Sequence, residues 1–235
     1  MSRFRYRQPK GFRDTLDVIR NILLQEGFTS TIQKIKKHIY YKLKGIDFDF
    51  QSLDNLTIKG KNHTHATLCG SSNETTVKDI FDNLVELDST ILEGTFVDIG
   101  SGKGKLIIYA KEYGFHQTVG VEFAKELYQI TRNNIKALKV QNVHVLHQDA
   151  TEYILPSNTR VIYFLNPFDE VIFHTILPKF IEQMQRFNHP IYLVYRVPIY
   201  QEVFKAYRAL KKIKSLNFRG DLSQIYLFDN HQSAD

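Results

Sequence analysis

A short glycine-rich stretch that follows an apolar run constrains the fold of this chain most strongly. Residues 95–104 read TFVDIGSGKG and lead directly into the apolar residues LIIYA. This order predicts a buried strand, a tight turn and the start of a helix. Glycines at 100, 102 and 104 allow the turn to take positive φ angles and let a ligand approach the backbone closely. The stretch therefore predicts a site for a nucleotide-like cofactor.

Apolar patterning beyond this stretch predicts strands and helices in alternation. The predicted strands are 95–99, 117–121, 142–146, 160–165 and 191–195, and the predicted helices are 104–113, 124–137, 170–185 and 199–209, with a short helical or loop piece near 150–155. Such alternation is typical of an α/β, doubly wound parallel sheet with helices on both faces. Residues 210–217 and 222–229, joined by a turn, predict a final antiparallel hairpin.

The residues before this region predict a helical N-terminal extension. Apolar residues at helical spacing over 13–44 fit two helices with a break near Glu26 and Gly27, and a further helix is predicted over 75–87. The polar residues 45–73 between them read as a loop. We expect two units, a basic extension with its connecting loop over residues 1–62 and the main domain over residues 63–235.

Positive charge is concentrated in this extension. Residues 1–44 hold eleven lysines and arginines against three acidic residues, while the whole chain carries a formal charge of +6. Aromatic residues lie between the basic ones. The pattern fits binding to nucleic acid or to another acidic partner, and the alternative is a solvated basic helical arm that packs on the main domain.

Composition limits the remaining classes. The single cysteine, Cys69, excludes an internal disulfide and favours a reducing compartment. No apolar run is long enough to span a bilayer, and residues 1–15 lack the apolar core of a secretory signal, so a cytoplasmic protein without a membrane anchor is predicted. Two pairs of histidines, His63 with His65 and His144 with His147, have no carboxylates at ligand spacing. No metal site is therefore expected.

Polar side chains follow four successive predicted strands. Asp98 precedes the glycines, Glu122 ends the second strand, Asp149 follows the third and Asn166 follows the fourth. Ligands of a doubly wound sheet bind at the carboxyl ends of its strands, so these residues are predicted to share one site. Each acid could instead cap the next helix, and Asp149 could simply begin a turn.

Two other cofactor motifs fit the glycine turn poorly. The dinucleotide fingerprint requires a glycine or alanine where this chain has Lys105. A phosphate-binding loop requires four residues between its glycines, whereas only three separate Gly100 from Gly104.

The ordered motifs VDIGSGKG, GVE, QDA and NPF, spread over about residues 65–229, resemble those of the class I, Rossmann-like S-adenosylmethionine-dependent methyltransferases, in particular small bacterial-type members. The resemblance implies a seven-stranded sheet with an antiparallel last strand, and S-adenosylmethionine as the cofactor. It implies that Asp98 and the glycines hold the methionine part, that Glu122 holds the ribose and that Asp149 receives the adenine amine. The implied cofactor set also includes Ser101, Phe123, Ala150 and Asn166.

A looser similarity is to the non-SET histone lysine methyltransferases. In that family a Gly-Glu-Thr loop precedes the glycine motif, and Asn73-Glu74-Thr75 lies at about the same distance here, which implies that Glu74 and Thr75 touch the methionine part. This chain departs from the pattern because Gly70 does not adjoin Glu74.

Asn166, Pro167 and Phe168 resemble the motif with which amino-group methyltransferases hold their target. The resemblance implies that oxygens of Asn166 and its neighbours accept N–H bonds from the target while Phe168 packs on it. That motif has two prolines and this chain has one. The expected function is methyl transfer to a nitrogen nucleophile of a protein (lysine-like) or other macromolecular acceptor. The alternative is a non-catalytic module of the same fold that binds S-adenosylmethionine or RNA.

Overall fold

A computed structural model describes residues 12–49, 74–218 and 221–229. Within these residues the chain forms a seven-stranded sheet in the order β3-β2-β1-β4-β5-β7-β6. Its strands are β1 (Thr95–Ile99), β2 (Gln117–Glu122), β3 (Val143–His147), β4 (Thr159–Leu165), β5 (Ile191–Arg196), β6 (Lys211–Phe218) and β7 (Asp221–Phe228). The predicted α/β fold with a doubly wound sheet is confirmed.

Helices cover both faces of this sheet. The helices are α1 (Phe12–Leu43), α2 (Glu74–Leu87), α3 (Lys105–Tyr113), α4 (Lys125–Leu138), α5 (Glu170–Met184) and α6 (Gln201–Lys205). Apolar residues of α2 and α3 form one core with the sheet, and those of α5 and α6 form a second core on the opposite face. All five residues of β1 are buried, as expected for a central parallel strand between two helical layers.

Strand β7 is antiparallel to both of its neighbours, β5 and β6, whereas the pairs among the first five strands are parallel. The predicted hairpin is therefore present, and its second strand inserts between the hairpin's first strand and β5. This arrangement gives the Rossmann-like, seven-stranded sheet that the resemblance implied.

Helix α1 is interrupted at Gly27, which has φ 82° and ψ 171°. This break agrees with the prediction of two helices that separate near Glu26 and Gly27. The boundary proposed between residues 62 and 63 lies outside the described residues, as does most of the predicted loop 45–73.

The last predicted helix was too long. Residues 199–209 were expected to be helical, whereas α6 spans only Gln201–Lys205. The following backbone forms tight turns, with Tyr207 donating to Phe204 and Leu210 donating to Tyr207. Leu210 is buried in the core, so the chain must turn back towards the sheet before β6 begins.

Candidate cofactor and acceptor site

The turn between β1 and α3 has the conformation that its glycines predict. Gly100, Gly102 and Gly104 have φ angles of 82°, 56° and 77°. A Cβ on Gly100 would lie 2.6 Å from Cβ of Pro167, and a Cβ on Gly104 would overlap the Thr131 side chain. The positive φ angles and the close neighbouring side chains both require glycine at Gly100 and Gly104. Residues 100–104 therefore form a narrow turn, called the cradle, that packs against α4 and Pro167.

Glu122 connects the second strand to this turn. One carboxylate oxygen accepts the backbone N–H of Gly102 at 2.7 Å, and the other accepts that of Ala124 at 2.8 Å. Burial raises the pKa of Glu122 to about 7, although the backbone hydrogen bonds oppose this shift. A carboxylate oxygen can accept more than one hydrogen bond, so these contacts are compatible with additional bonds from a ligand's hydroxyls.

Asp98 ends β1 on the buried side of the turn. Its side chain is 3% exposed, and burial together with the neighbouring charge of Glu122 raises its pKa to about 8. No cationic side chain among the described residues contributes to this shift. A buried carboxylate without a counter-charge is costly, and a ligand cation would remove that cost.

Asn166 lies at the end of β4 in an unusual backbone conformation. Its φ is 40°, in the left-handed region, and its side-chain oxygen accepts a hydrogen bond from the Tyr195 hydroxyl at 3.1 Å. The Tyr195 oxygen in turn accepts the backbone N–H of Tyr200 at 3.2 Å. The amide is therefore held by β5 and by the chain that follows it. Strained backbone of this kind is concentrated at functional sites.

Pro167, the residue after Asn166, packs against the glycine turn, because it occupies the space that a Gly100 side chain would need. Phe168 differs from the expectation that its ring packs on a target. The ring is 9% exposed and lies in the core, 4.9 Å from the ring of Phe173 in an edge-to-face arrangement. Its visible role is to anchor the segment that follows Asn166.

The residues expected around an adenine lie next to β2 and β3. Asp149 caps a short 3-10 helix, since its Oδ1 accepts the N–H and the hydroxyl of Thr151, both at 2.8 Å. Ala150 packs against the core, and Nε2 of His147 lies 3.0 Å from the Phe123 carbonyl oxygen. The alternative given for Asp149, that it caps a helix or begins a turn, is therefore observed. A role in binding adenine stays a prediction.

Two further residues were predicted to contact the cofactor. Ser101 is buried, and Glu74 forms ion pairs. The Ser101 hydroxyl has no hydrogen-bond partner among the residues that the structure describes. Glu74, at the start of α2, pairs with Lys37 at 3.0 Å and with Lys105 at 3.5 Å. Thr75 beside it is exposed. A methionine-binding role for Glu74 and Thr75 stays a prediction, and these ion pairs give Glu74 a structural role.

Sequence reasoning missed the side chains that support the site. Tyr195 carries no motif signal, because a buried aromatic residue in a strand is an ordinary core residue. Lys103 was visible within the glycine stretch, but its partner Asp47 is distant in sequence. Within the described part of the chain no group of three potential metal ligands occurs, and His63 and His65 lie outside that part.

The site fits S-adenosylmethionine in three respects. Asp98 is a buried carboxyl group without a cationic partner where the resemblance places a cationic amine, the glycine turn has no room for side chains at Gly100 and Gly104, and Glu122 lies at the end of the adjacent strand. These are the features that hold a nucleoside-linked cofactor at the carboxyl edge of a doubly wound sheet.

Comparison with known proteins agrees with this description. A family described as "Putative methyltransferase" matches residues 93–167, which run from two residues before β1 to Pro167. No curated protein sequence matches the chain.

Several solved structures resemble the fold. A "putative methylase" from Haemophilus influenzae is 16% identical, with a TM-score of 0.50 over 66% of this chain and 98% of that one. An RNA methyltransferase from Salinibacter ruber in complex with S-adenosyl-L-homocysteine is 20% identical, with a TM-score of 0.49 over 67% of this chain and 95% of that one. An Aquifex aeolicus SAM-dependent methyltransferase is 16% identical, with a TM-score of 0.48 over 68% and 100%. At these identities the likeness concerns the fold.

The sheet order is that of the class I, Rossmann-like methyltransferase fold, and the family that matches residues 93–167 is described as a putative methyltransferase. The looser similarity to histone lysine methyltransferases gains no support from these matches. Among residues 12–49, 74–218 and 221–229, no helix has the length and apolarity needed to cross a membrane.

Proposed function

We propose that the enzyme methylates a nitrogen atom of a nucleic acid and that Asn166 orients this nitrogen. The contact between Pro167 and Gly100 supports the proposal, because Asn166 directly precedes the residue that packs on the glycine turn. An amide oxygen there can accept an N–H of the acceptor and so direct the nitrogen lone pair towards the donor.

Separate residues account for binding of the cofactor. Asp98 pairs with its cationic amine, the backbone of Gly100 to Gly104 surrounds the methionine part, and Glu122 accepts the ribose hydroxyls. Asp149, Ala150 and Phe123 border the adenine. S-adenosylmethionine supplies a methyl group that is already activated, so the protein's contribution is orientation and exclusion of water.

Tyr195 supports Asn166 in this scheme. Its hydroxyl fixes the side-chain oxygen, and the N–H of Tyr200 fixes that hydroxyl in turn. The amide is thereby held in one orientation before the acceptor arrives, which lowers the entropic cost of alignment. Phe168 holds the backbone of this segment in the core and does not itself contact the acceptor.

The charge of the N-terminal helix favours a nucleic acid over a protein amine. The basic residues Arg20, Lys36 and Lys42 on α1 are exposed, as is Lys44 directly after it. Lys44 lies 5.9 Å from the ring centroid of Tyr40, which is 46% exposed. Exposed cations with interleaved aromatic rings suit phosphates and unstacked bases. The one cysteine in the sequence is in keeping with a cytoplasmic location.

Substitution of Asn166 tests this assignment. In Asn166→Ala we expect the rate of tritiated methyl transfer into RNA to fall by about 100-fold or more, because the acceptor nitrogen loses its orienting partner. Affinity for S-adenosylmethionine, measured by calorimetry, is expected to stay within about threefold of wild type.

Asn133→Ala is the matched control, since Asn133 is exposed on α4. Its transfer rate is expected to equal that of wild type. A wild-type rate in Asn166→Ala would remove Asn166 from the acceptor site.

A further inference from the structure

The short segment that follows α1 is attached to the cofactor turn through one side chain of α4. The backbone N–H of Asp47 donates to Oδ1 of Asn134 at 3.0 Å, and Nδ2 of Asn134 donates to the Asp47 carbonyl at 2.8 Å. The same Nδ2 donates to the carbonyl of Lys103 at 3.0 Å. Asn134 is 1% exposed, so a buried amide joins the extension to the turn.

An ion pair makes a second connection between the same two segments. Nζ of Lys103 lies 2.7 Å from each carboxylate oxygen of Asp47. The Lys103 side chain is 8% exposed, whereas that of Asp47 is 44% exposed. The backbone N–H of Asp49 also donates to the Asp47 carboxylate at 2.9 Å, which orients this carboxylate before it meets the lysine.

Lys103 lies between Gly102 and Gly104, so this pair acts on the cradle itself. Gly102 is held by Glu122 through its N–H and by Thr131 through its carbonyl, at 2.7 and 2.8 Å. If Asp47 were absent, an almost buried ammonium would lack its counter-charge. The turn would then have to move to bring the ammonium to water, and the Gly102 contacts would be lost with it.

We propose that Asp47 is a positioning residue for the cofactor: it neutralises Lys103 and so fixes the glycine turn without touching the ligand. The N-terminal extension thus completes the cofactor site of the main domain. Through α1 the extension also connects the exposed basic residues of that helix to the cofactor site. The inference rests on the assignment of the turn to S-adenosylmethionine.

The test compares Asp47→Ala with Asp49→Ala in the full-length protein. Calorimetric titration with S-adenosylmethionine is expected to show about tenfold weaker binding for Asp47→Ala and no more than a twofold change for Asp49→Ala. Asp49 is the matched control, because it is an exposed acid two residues away whose carboxylate lies 3.7 Å from Lys42. Asp47→Asn, which keeps an acceptor oxygen but no charge, is expected to fall between wild type and Asp47→Ala.

A double variant separates positioning from simple docking of the extension. Adding Lys103→Met to Asp47→Ala removes the unpaired ammonium, so affinity is expected to return to within about threefold of wild type. Wild-type affinity in Asp47→Ala would overturn the inference, and so would failure of the double variant to recover. A wild-type protein that bound no S-adenosylmethionine would instead refute the cofactor assignment.

Discussion

Asp98 and Glu122 place two acids in one buried site, and both have a raised pKa. The values are about 8 for Asp98 and about 7 for Glu122, with burial as the main cause in each case. Near pH 6 both groups are therefore mostly protonated. A bound cation favours their charged forms, so uptake of the cofactor is coupled to release of protons.

This coupling predicts a pH-dependent affinity. Between about pH 6 and pH 7.5 the affinity for S-adenosylmethionine is expected to rise, because Asp98 and Glu122 ionise while the cofactor's α-amino group remains charged. Calorimetry in two buffers of different ionisation enthalpy measures the protons released. In Asp98→Asn the release is expected to diminish and binding to weaken about tenfold to a hundredfold.

Asp98→Asn is expected to weaken cofactor binding but to stabilise the cofactor-free protein. A carboxyl group whose pKa is raised by folding stabilises the fold when protonated, and this contribution is lost as the pH rises from about 4 to 8. Asp98→Asn is therefore expected to raise the free energy of unfolding at pH 8 by about 2 kcal/mol and to change it little at pH 5. Equal denaturation curves at pH 8 would contradict a buried, uncompensated Asp98.

At the scale of elements, the turn after β1 and the segment after β4 are one structural unit. Gly100→Ala would force the turn away from Pro167 and displace Asn166 as well as the cradle. We expect about tenfold weaker binding of S-adenosylmethionine and, at saturating cofactor, a further loss of transfer rate.

Gly27→Ala provides the control for backbone strain alone. Gly27 has the same φ of 82°, but a Cβ there meets nothing within 4 Å. Its affinity and its transfer rate are expected to match wild type, with only a loss of stability of about 1 kcal/mol. Unchanged binding in Gly100→Ala would show that the contact with Pro167 does not shape the site.

The elements of the fold were predictable where a local pattern determines them. Strand β1 was predicted with its observed bounds because five buried residues precede a glycine turn, and the break of α1 at Gly27 was predicted because glycine disfavours a continuous helix. The shortening of α6 was not predictable, since it depends on where Leu210 must enter the core.

Only some residues of the candidate site were predictable from the sequence. The strand-end residues were predictable because their spacing follows the strands. Tyr195 and Asp47 were not, because each acts through a partner that is distant in sequence and that only the folded chain brings close.

At the scale of the whole molecule, the chain joins a basic helix to a seven-stranded Rossmann-like sheet. The helix presents exposed cations, and the segment after it reaches the cofactor turn through Asp47. Under the proposed function, one short stretch of chain therefore connects acceptor binding to cofactor binding.

The most direct test of this account follows the methyl group. RNA and protein from cells that lack the gene are incubated with the enzyme and S-adenosylmethionine that carries a deuterated methyl group, then separated, digested and analysed by mass spectrometry. A reaction without the enzyme serves as the unlabelled comparison. The account predicts label on a ring or exocyclic nitrogen of a nucleoside in the wild-type reaction, and label found only in protein, or in neither fraction, would contradict it.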